Sequence, residues 1–82
     1  MLNKQFLRTD AGKRHAIAYA LHVHYHVYLK DIARYYDCSS STISYWVRNL
    51  KQYSHLKDFT SIIDSYYLDI QMILKNIQST EE

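Results

Sequence analysis

The 82-residue sequence contains no proline, one glycine and one cysteine. Because β-sandwiches and barrels need frequent Gly and Pro turns, this composition favours an all-α fold. A single glycine also excludes the Gly-rich phosphate loops and nucleophile elbows of large enzyme classes. The lone Cys38 excludes an intramolecular disulfide and a Cys-based zinc site, which predicts a reducing, cytoplasmic setting. The apolar runs are too short to span a bilayer.

Charge is divided unevenly along the chain. Residues 1–57 carry nine lysines and arginines against three aspartates, a net charge of +6. Residues 58–82 carry one lysine against five acidic residues, a net charge of −4. Such a division predicts one surface for a polyanion and a second surface for a different contact.

The spacing of apolar residues predicts four helices. Three of them form a basic body over residues 1–55, and the fourth is a long C-terminal helix within residues 56–82. The absence of a linker or repeat indicates that both parts belong to one compact unit. The four predicted helices cover residues 10–26, 30–36, 40–52 and 56–78.

Residues 29–48 have the pattern of a helix-turn-helix. Two helices that cross closely need a small residue at the crossing, and Ala33 supplies it. Ile43 and Trp46 provide apolar anchors on the second helix. The turn between the helices needs a residue that tolerates positive φ, a role that Asp37 can fill. Ser39 or Ser40 is expected to cap the second helix.

This window resembles the helix-turn-helix of the Lac and phage repressor families, in which Ser39-Ser40-Ser41-Thr42-Ile43-Ser44 is a familiar opening of the recognition helix. The resemblance implies sequence-specific binding to double-stranded DNA by a transcriptional regulator of bacterial, phage or plasmid type. Asp37 stands where glycine is usual in those families. Residues 14–33 show a looser resemblance to the DNA-binding C-terminal domain of the bacterial replication initiator and to domains found beside transposases. That family's Gly-Arg-Asp-His turn signature is absent here.

A recognition helix lies in the major groove with its N-terminal residues toward the base edges. The side chains opposite the apolar face of the second helix are therefore the predicted base contacts: Ser40, Ser41, Ser44, Tyr45 and Arg48. Cations and hydroxyls around this helix are the predicted phosphate contacts. They are Lys13, Arg14, Lys30, Arg34, Ser39, Thr42 and Lys51.

The last predicted helix carries an apolar residue at alternating intervals of three and four from Leu56 to Ile77. This is a heptad seam, which favours a homodimer that binds a palindromic DNA site. The alternative is that the helix only closes the core of its own subunit. The predicted dimer contacts are Ile63, Tyr66, Ile70, Ile73 and Ile77.

Other signals predict no additional chemistry. His22 and His26 share a helix face, but no third ligand is apparent, so we expect no metal and no cofactor. The sequence shows no combination of a nucleophile, a base and an orienting acid, so we do not expect the protein to be an enzyme. The alternative function is a protein-interaction adaptor on a helix-turn-helix scaffold, in a replication or recombination complex.

Overall fold

The computed structural model describes residues 2–79, and in this range the chain forms six helices and no strand. The predicted all-α fold class is confirmed. None of the helices in the described range is long and apolar enough to cross a membrane. The helices are α1 (Lys4–Leu7), α2 (Asp10–Val23), α3 (Leu29–Tyr36), α4 (Ser40–Lys51), α5 (Lys57–Ser65) and α6 (Tyr67–Ser79).

The centre of the molecule is a body of three helices, α2, α3 and α4, which all contact one another. Helix α2 is buried on most sides because α1, α5 and α6 also pack against it. Its small residues Ala16, Ala18 and Ala20 are fully buried and let the neighbouring helices approach closely. Of the residues predicted to form the core of this body, Ile17, Leu21, Ile32, Ala33 and Ile43 are buried. Trp46 is only half-buried and packs against that core.

Helix α1 is a four-residue element that the periodicity of the sequence does not predict. The Asn3 side chain caps it by accepting the Phe6 N–H at 2.9 Å. The helix crosses α2 at Gly12, where an added Cβ would overlap the Phe6 carbonyl oxygen and lie 2.6 Å from the Leu7 Cα. The only glycine of the chain therefore permits a close backbone crossing, and Leu7 is buried beneath it.

Helix α2 ends at Val23, three residues earlier than predicted. His26 adopts the left-handed conformation with φ 58°. The Val27 N–H donates a hydrogen bond to the Leu21 carbonyl at 2.9 Å. The His22 Nδ1 also lies 2.9 Å from the Val27 carbonyl. These contacts fold the chain back on α2 and stop the helix. Histidine is one of the few residues that adopt positive φ with any frequency.

The prediction of one continuous helix over residues 56–78 is wrong. The helix breaks at Tyr66, which has φ −99° and ψ 14° and donates its N–H to Ile63 at 3.0 Å. The Ser65 hydroxyl donates to the Ile62 carbonyl, and the Tyr66 hydroxyl donates to the Leu7 carbonyl. A contact with α1 thus holds the break in place.

The apolar seam of α5 and α6 packs against the rest of its own chain. Ile63, Ile70, Ile73 and Ile77 are all buried in the single subunit, and Tyr66 is half-buried. The last isoleucines of the seam lie within reach of the three-helix body, because α6 turns back onto α2 and α3. The predicted dimer contacts belong to the core of the monomer, as in the alternative in which this segment closes its own subunit.

Candidate nucleic-acid interface

The turn between α3 and α4 has a left-handed residue where the sequence predicts one. Asp37 adopts φ 57° and ψ 52°. The Cys38 N–H donates to the Ala33 carbonyl at 2.9 Å, and the Asp37 N–H donates to the Arg34 carbonyl at 3.3 Å. These two bonds form a Schellman motif, which ends a helix and directs the chain that follows. The turn thereby fixes the start of α4 relative to α3.

Ser39 caps α4, as predicted. Its Oγ accepts the Thr42 N–H at 3.2 Å and lies 2.9 Å from the Thr42 Oγ1. Both hydroxyls are predicted phosphate contacts, and in the structure they form a hydrogen bond with each other. Since one hydroxyl hydrogen is enough for the bond between them, the pair keeps the other hydrogen for an outside acceptor.

The outward face of α4 carries three of the predicted base contacts in one strip. Ser41, Tyr45 and Arg48 follow one another at intervals of four and three residues, which places them on the same side of the helix. All three are exposed, and Tyr45 is 60% exposed. The opposite side is anchored by the buried Ile43 and Val47.

The remaining two predicted base contacts lie beside this strip. Ser40 is exposed at the first residue of α4. Ser44 is half-buried and lines a groove between α4 and the start of α3. Ser44 is therefore placed on the flank of the helix, where it faces the groove more than the strip.

This groove, which we call the basic groove, joins the flank of α4 to the start of α3. Two adjoining hollows of about 200 and 440 Å³ share His22 and Leu29 in their walls. The cations Arg48 and Lys51 line the first hollow and Lys30 lines the second, while no described residue lining either is acidic. The basic groove consists of His22, Tyr28, Leu29, Lys30, Ser44, Val47, Arg48 and Lys51.

The start of α3 adds backbone donors to the basic groove. Tyr28 occupies the N-cap position and makes no side-chain capping bond. The first-turn N–H groups of a helix attract anions, and the Lys30 Nζ lies above the Tyr28 ring, 5.8 Å from its centroid. A phosphate at this point would meet a cation and a helix N-terminus, and it would also lie near Asp31, a first-turn residue whose carboxylate is 3.7 Å from Arg34.

Three of the predicted phosphate contacts lie elsewhere. The Lys13 Nζ is 2.9 Å from the Asp69 carboxylate and 5.6 Å from the Tyr66 ring centroid. The hydrogen bond to Asp69 raises the pKa of Lys13 above its ordinary value. Arg14 lines the same hollow as Lys13. Arg34 lies 3.7 Å from Asp31 and lines a hollow beside α6. The structure does not bring these cations to the basic groove.

A stack of aromatic rings supports α4 from behind. The His15 ring stacks on the Trp46 ring with 4.3 Å between centroids, and the Phe6 ring meets His15 edge-on at 5.3 Å. Burial, with a smaller effect of the neighbouring Arg14, lowers the pKa of His15. The lowered pKa favours the neutral imidazole, which suits a ring held between two apolar rings.

The structure adds residues to the site that the sequence reasoning did not include. Asn49 lies one turn after Tyr45 and is exposed, and the Gln52 Nε2 donates to the Asn49 backbone carbonyl at 2.8 Å. Extending the spacing of Ser41, Tyr45 and Arg48 by one turn would have identified both amides. His22 enters the basic groove through the chain reversal at residues 24–28, for which the sequence has no clear signal.

Comparisons of the chain with protein-family models, with curated proteins and with solved structures find no match. The functional interpretation therefore depends on the geometry of the site. In that geometry an exposed helix face with hydroxyl, phenol and guanidinium groups lies next to a groove lined by cations. Such groups bind phosphates and the edges of bases.

Proposed function

We propose that the protein binds double-stranded DNA with sequence specificity, uses α4 as its recognition helix, and acts as a transcriptional regulator of bacterial, phage or plasmid type in the nucleoid-containing cytoplasm. The observation that carries this proposal is the strip of Ser41, Tyr45 and Arg48 beside the basic groove. Among the described lining residues this groove has three cations and no acid.

The dimensions of α4 fit this role. Twelve residues make a helix about 18 Å long, and the major groove is about 12 Å wide, which admits one helix. With α4 inserted, Tyr45 offers its hydroxyl or ring to a base edge or a thymine methyl, and Arg48 reaches a guanine or a phosphate. Lys30 and Lys51 then face the phosphate backbone of the DNA on one side of α4.

The salt dependence of binding tests this arrangement. Three cationic contacts per copy predict that log affinity falls against log salt with a slope of roughly −3 for one copy and −5 to −6 for two copies on a palindrome. Fluorescence polarisation with a duplex selected from a random pool measures the slope between about 50 and 200 mM salt. A flat response would contradict the proposal.

Two lysines provide a matched pair of variants. Lys30→Ala should weaken binding to all sequences alike and make the slope shallower by about 1. Lys13→Ala should leave both quantities unchanged, because Lys13 is bound to Asp69 away from the basic groove. Equal effects of the two substitutions would show that the basic groove is not the phosphate site.

Base recognition is tested separately. Ser41→Ala combined with Tyr45→Ala should shift the selected DNA sequence, since each lost base contact costs roughly 1–3 kcal/mol of discrimination. Both side chains are exposed, so circular dichroism should show an unchanged helix content. An unchanged selected sequence would mean that α4 does not read bases.

A homodimer on a palindromic site stays a prediction, and the heptad seam no longer argues for it because its isoleucines are buried. Sedimentation equilibrium of the protein with and without its duplex measures the number of copies. The two slopes predicted above give an independent count of copies on the DNA.

One observation favours the alternative of a protein-interaction adaptor. Leu68 and Met72 lie one turn apart on α6 and are 76% and 71% exposed. Asp64 of α5 has no ion pair in the described range and would suit a basic partner in a replication or recombination complex. Leu68→Ser with Met72→Ser should leave DNA binding unchanged if α4 is the functional surface, and polarisation with the same duplex decides this.

A further inference from the structure

A second groove lies on the other flank of α4, between that helix and α1. It has a volume of about 460 Å³ and is lined by the rings of Phe6, His15 and Tyr45 and by the amide side chains of Asn49 and Gln52. Pockets for small molecules fall in the range of about 300–1,000 Å³ and combine apolar walls with a few polar groups. We call this the amide groove.

The amide groove has no charged wall. None of the described residues that line it is Lys, Arg, Asp or Glu. The other described hollows each have at least one of these residues in their walls. The groove is open to solvent, and an ion in it would gain no partner charge from the walls. The walls therefore favour an uncharged molecule over an ion.

The shape and polarity of the walls add two requirements. Phe6 and Tyr45 are exposed at the rim and present ring surfaces to a planar molecule. The exposed Asn49 side chain has both donors and an acceptor. The Gln52 Nε2 donates one of its two hydrogens to the Asn49 backbone carbonyl, which leaves the Gln52 Oε1 as an acceptor and the other hydrogen as a donor. A ring with its own N–H groups and acceptors satisfies these amides.

We propose that the amide groove binds one uncharged, planar nitrogen heterocycle of nucleobase or nucleoside type, and that this molecule competes with DNA for Tyr45. The second half rests on the proposed function, because Tyr45 belongs to both the groove wall and the outward strip of α4. The occupant is a free small molecule. A nucleic acid strand would bring phosphates to walls that have no cation.

Titration of the full ¹⁵N-labelled chain with adenosine, followed by two-dimensional NMR in the absence of DNA, tests the binding site. Shifts should concentrate at the amides of Phe6, His15, Tyr45 and Asn49, with a dissociation constant between about 0.1 and 5 mM. AMP, which carries the same ring and a phosphate, should bind these residues more weakly. No shifts at these residues up to about 10 mM adenosine, or tighter binding of AMP there, would overturn the proposal.

A matched pair of exposed amides tests the polar contact. Asn49→Ala should weaken adenosine binding by about 3- to 10-fold, the usual effect of one lost hydrogen bond. Gln5→Ala, on the outside of α1, should not change it. Both positions are exposed, so neither variant should unfold. Equal affinity of Asn49→Ala and the wild-type protein would overturn the assignment.

Competition with DNA is measured last. Adenosine at its own dissociation constant should raise the apparent dissociation constant for the duplex by about twofold if the two exclude each other. The Asn49→Ala variant should need correspondingly more adenosine. If the protein does not bind DNA at all, the proposed function fails, whereas the titration without DNA still decides whether the groove binds its ligand. Adenosine binding with no effect on the DNA complex would overturn the competition.

Discussion

Gly12→Ala tests the backbone crossing that positions α1 and, through it, the amide groove. The alanine Cβ would overlap the Phe6 carbonyl oxygen and approach the Leu7 Cα to 2.6 Å. Both are backbone atoms, so no change of rotamer relieves the contact. Helix α1 must move away from α2, and the interactions that it makes on the inner side weaken.

The magnitude follows from what α1 contributes. Leu7 is 1% exposed, and complete burial of a leucine side chain contributes about 1.5–3 kcal/mol. The hydrogen bond from the Tyr66 hydroxyl to the Leu7 carbonyl adds about 1 kcal/mol. Alanine regains about 1 kcal/mol of helix propensity over glycine. The net loss is about 1.5–3 kcal/mol, which lowers the Tm by roughly 6–24 °C for a domain of this size.

The expected loss of stability is opposite in sign to the usual effect, because Gly→Ala within a helix ordinarily stabilises a protein. Thermal and urea unfolding followed by circular dichroism measure it. Ser61→Gly and Ser61→Ala provide the reference, since Ser61 is an exposed residue of α5. There the alanine variant should exceed the glycine variant by about 1 kcal/mol. A Gly12→Ala protein as stable as the wild type would refute the crossing.

Two further predictions concern the turn and the aromatic stack. Asp37→Gly should stabilise the protein by about 0.5–1 kcal/mol, because φ is 57° at this position. Urea unfolding measures this, and a loss similar to that of Ser61→Gly would contradict the left-handed turn. Burial lowers the pKa of His15, so stability from the neutral ring is complete above about pH 6.5 and is lost as the pH falls through the lowered folded-state pKa. In unfolding experiments from pH 7.5 to 4.5, His15→Phe should reduce this loss of stability at low pH. His55→Phe, at an exposed position, should retain it. Equal losses in the two variants would exclude His15 as the cause.

Helices α3 and α4 and the turn between them could be predicted from the sequence because their signals are local. A serine hydroxyl caps the helix three residues ahead of its partner N–H, and Asp37 tolerates the backbone angles of the turn without help from distant residues. The alternation of buried and exposed residues along α4 follows from 3.6 residues per turn. These requirements leave Ser41, Tyr45 and Arg48 on the outside whatever the rest of the chain does.

Long-range contacts determine what the sequence reasoning missed. Helix α1 has only four residues, too few to be stable alone, and it depends on its crossing at Gly12. No Gly or Pro marks the break at Tyr66 in the sequence. The break is held by the hydrogen bond from the Tyr66 hydroxyl to the Leu7 carbonyl. A heptad seam looks the same in a dimerising helix and in two shorter helices that pack on their own subunit.

The division of charge along the chain has a structural consequence that the sequence alone did not indicate. The acidic segment, residues 58–82, is not simply a separate surface, because two of its carboxylates pair with lysines of the basic body. Asp58 lies 3.2 Å from Lys4, and Asp69 lies 2.9 Å from Lys13. These ion pairs are largely exposed and contribute little to stability. Their effect is on the field around the molecule, since they neutralise cations of the basic body that lie away from the basic groove. Lys30, Arg48 and Lys51 have no carboxylate within 4.0 Å in the described range, which is also true of Arg8, Arg14, Lys57 and Lys75. Three of the unpaired cations therefore lie together beside α4, where they would attract a polyanion to the proposed recognition helix.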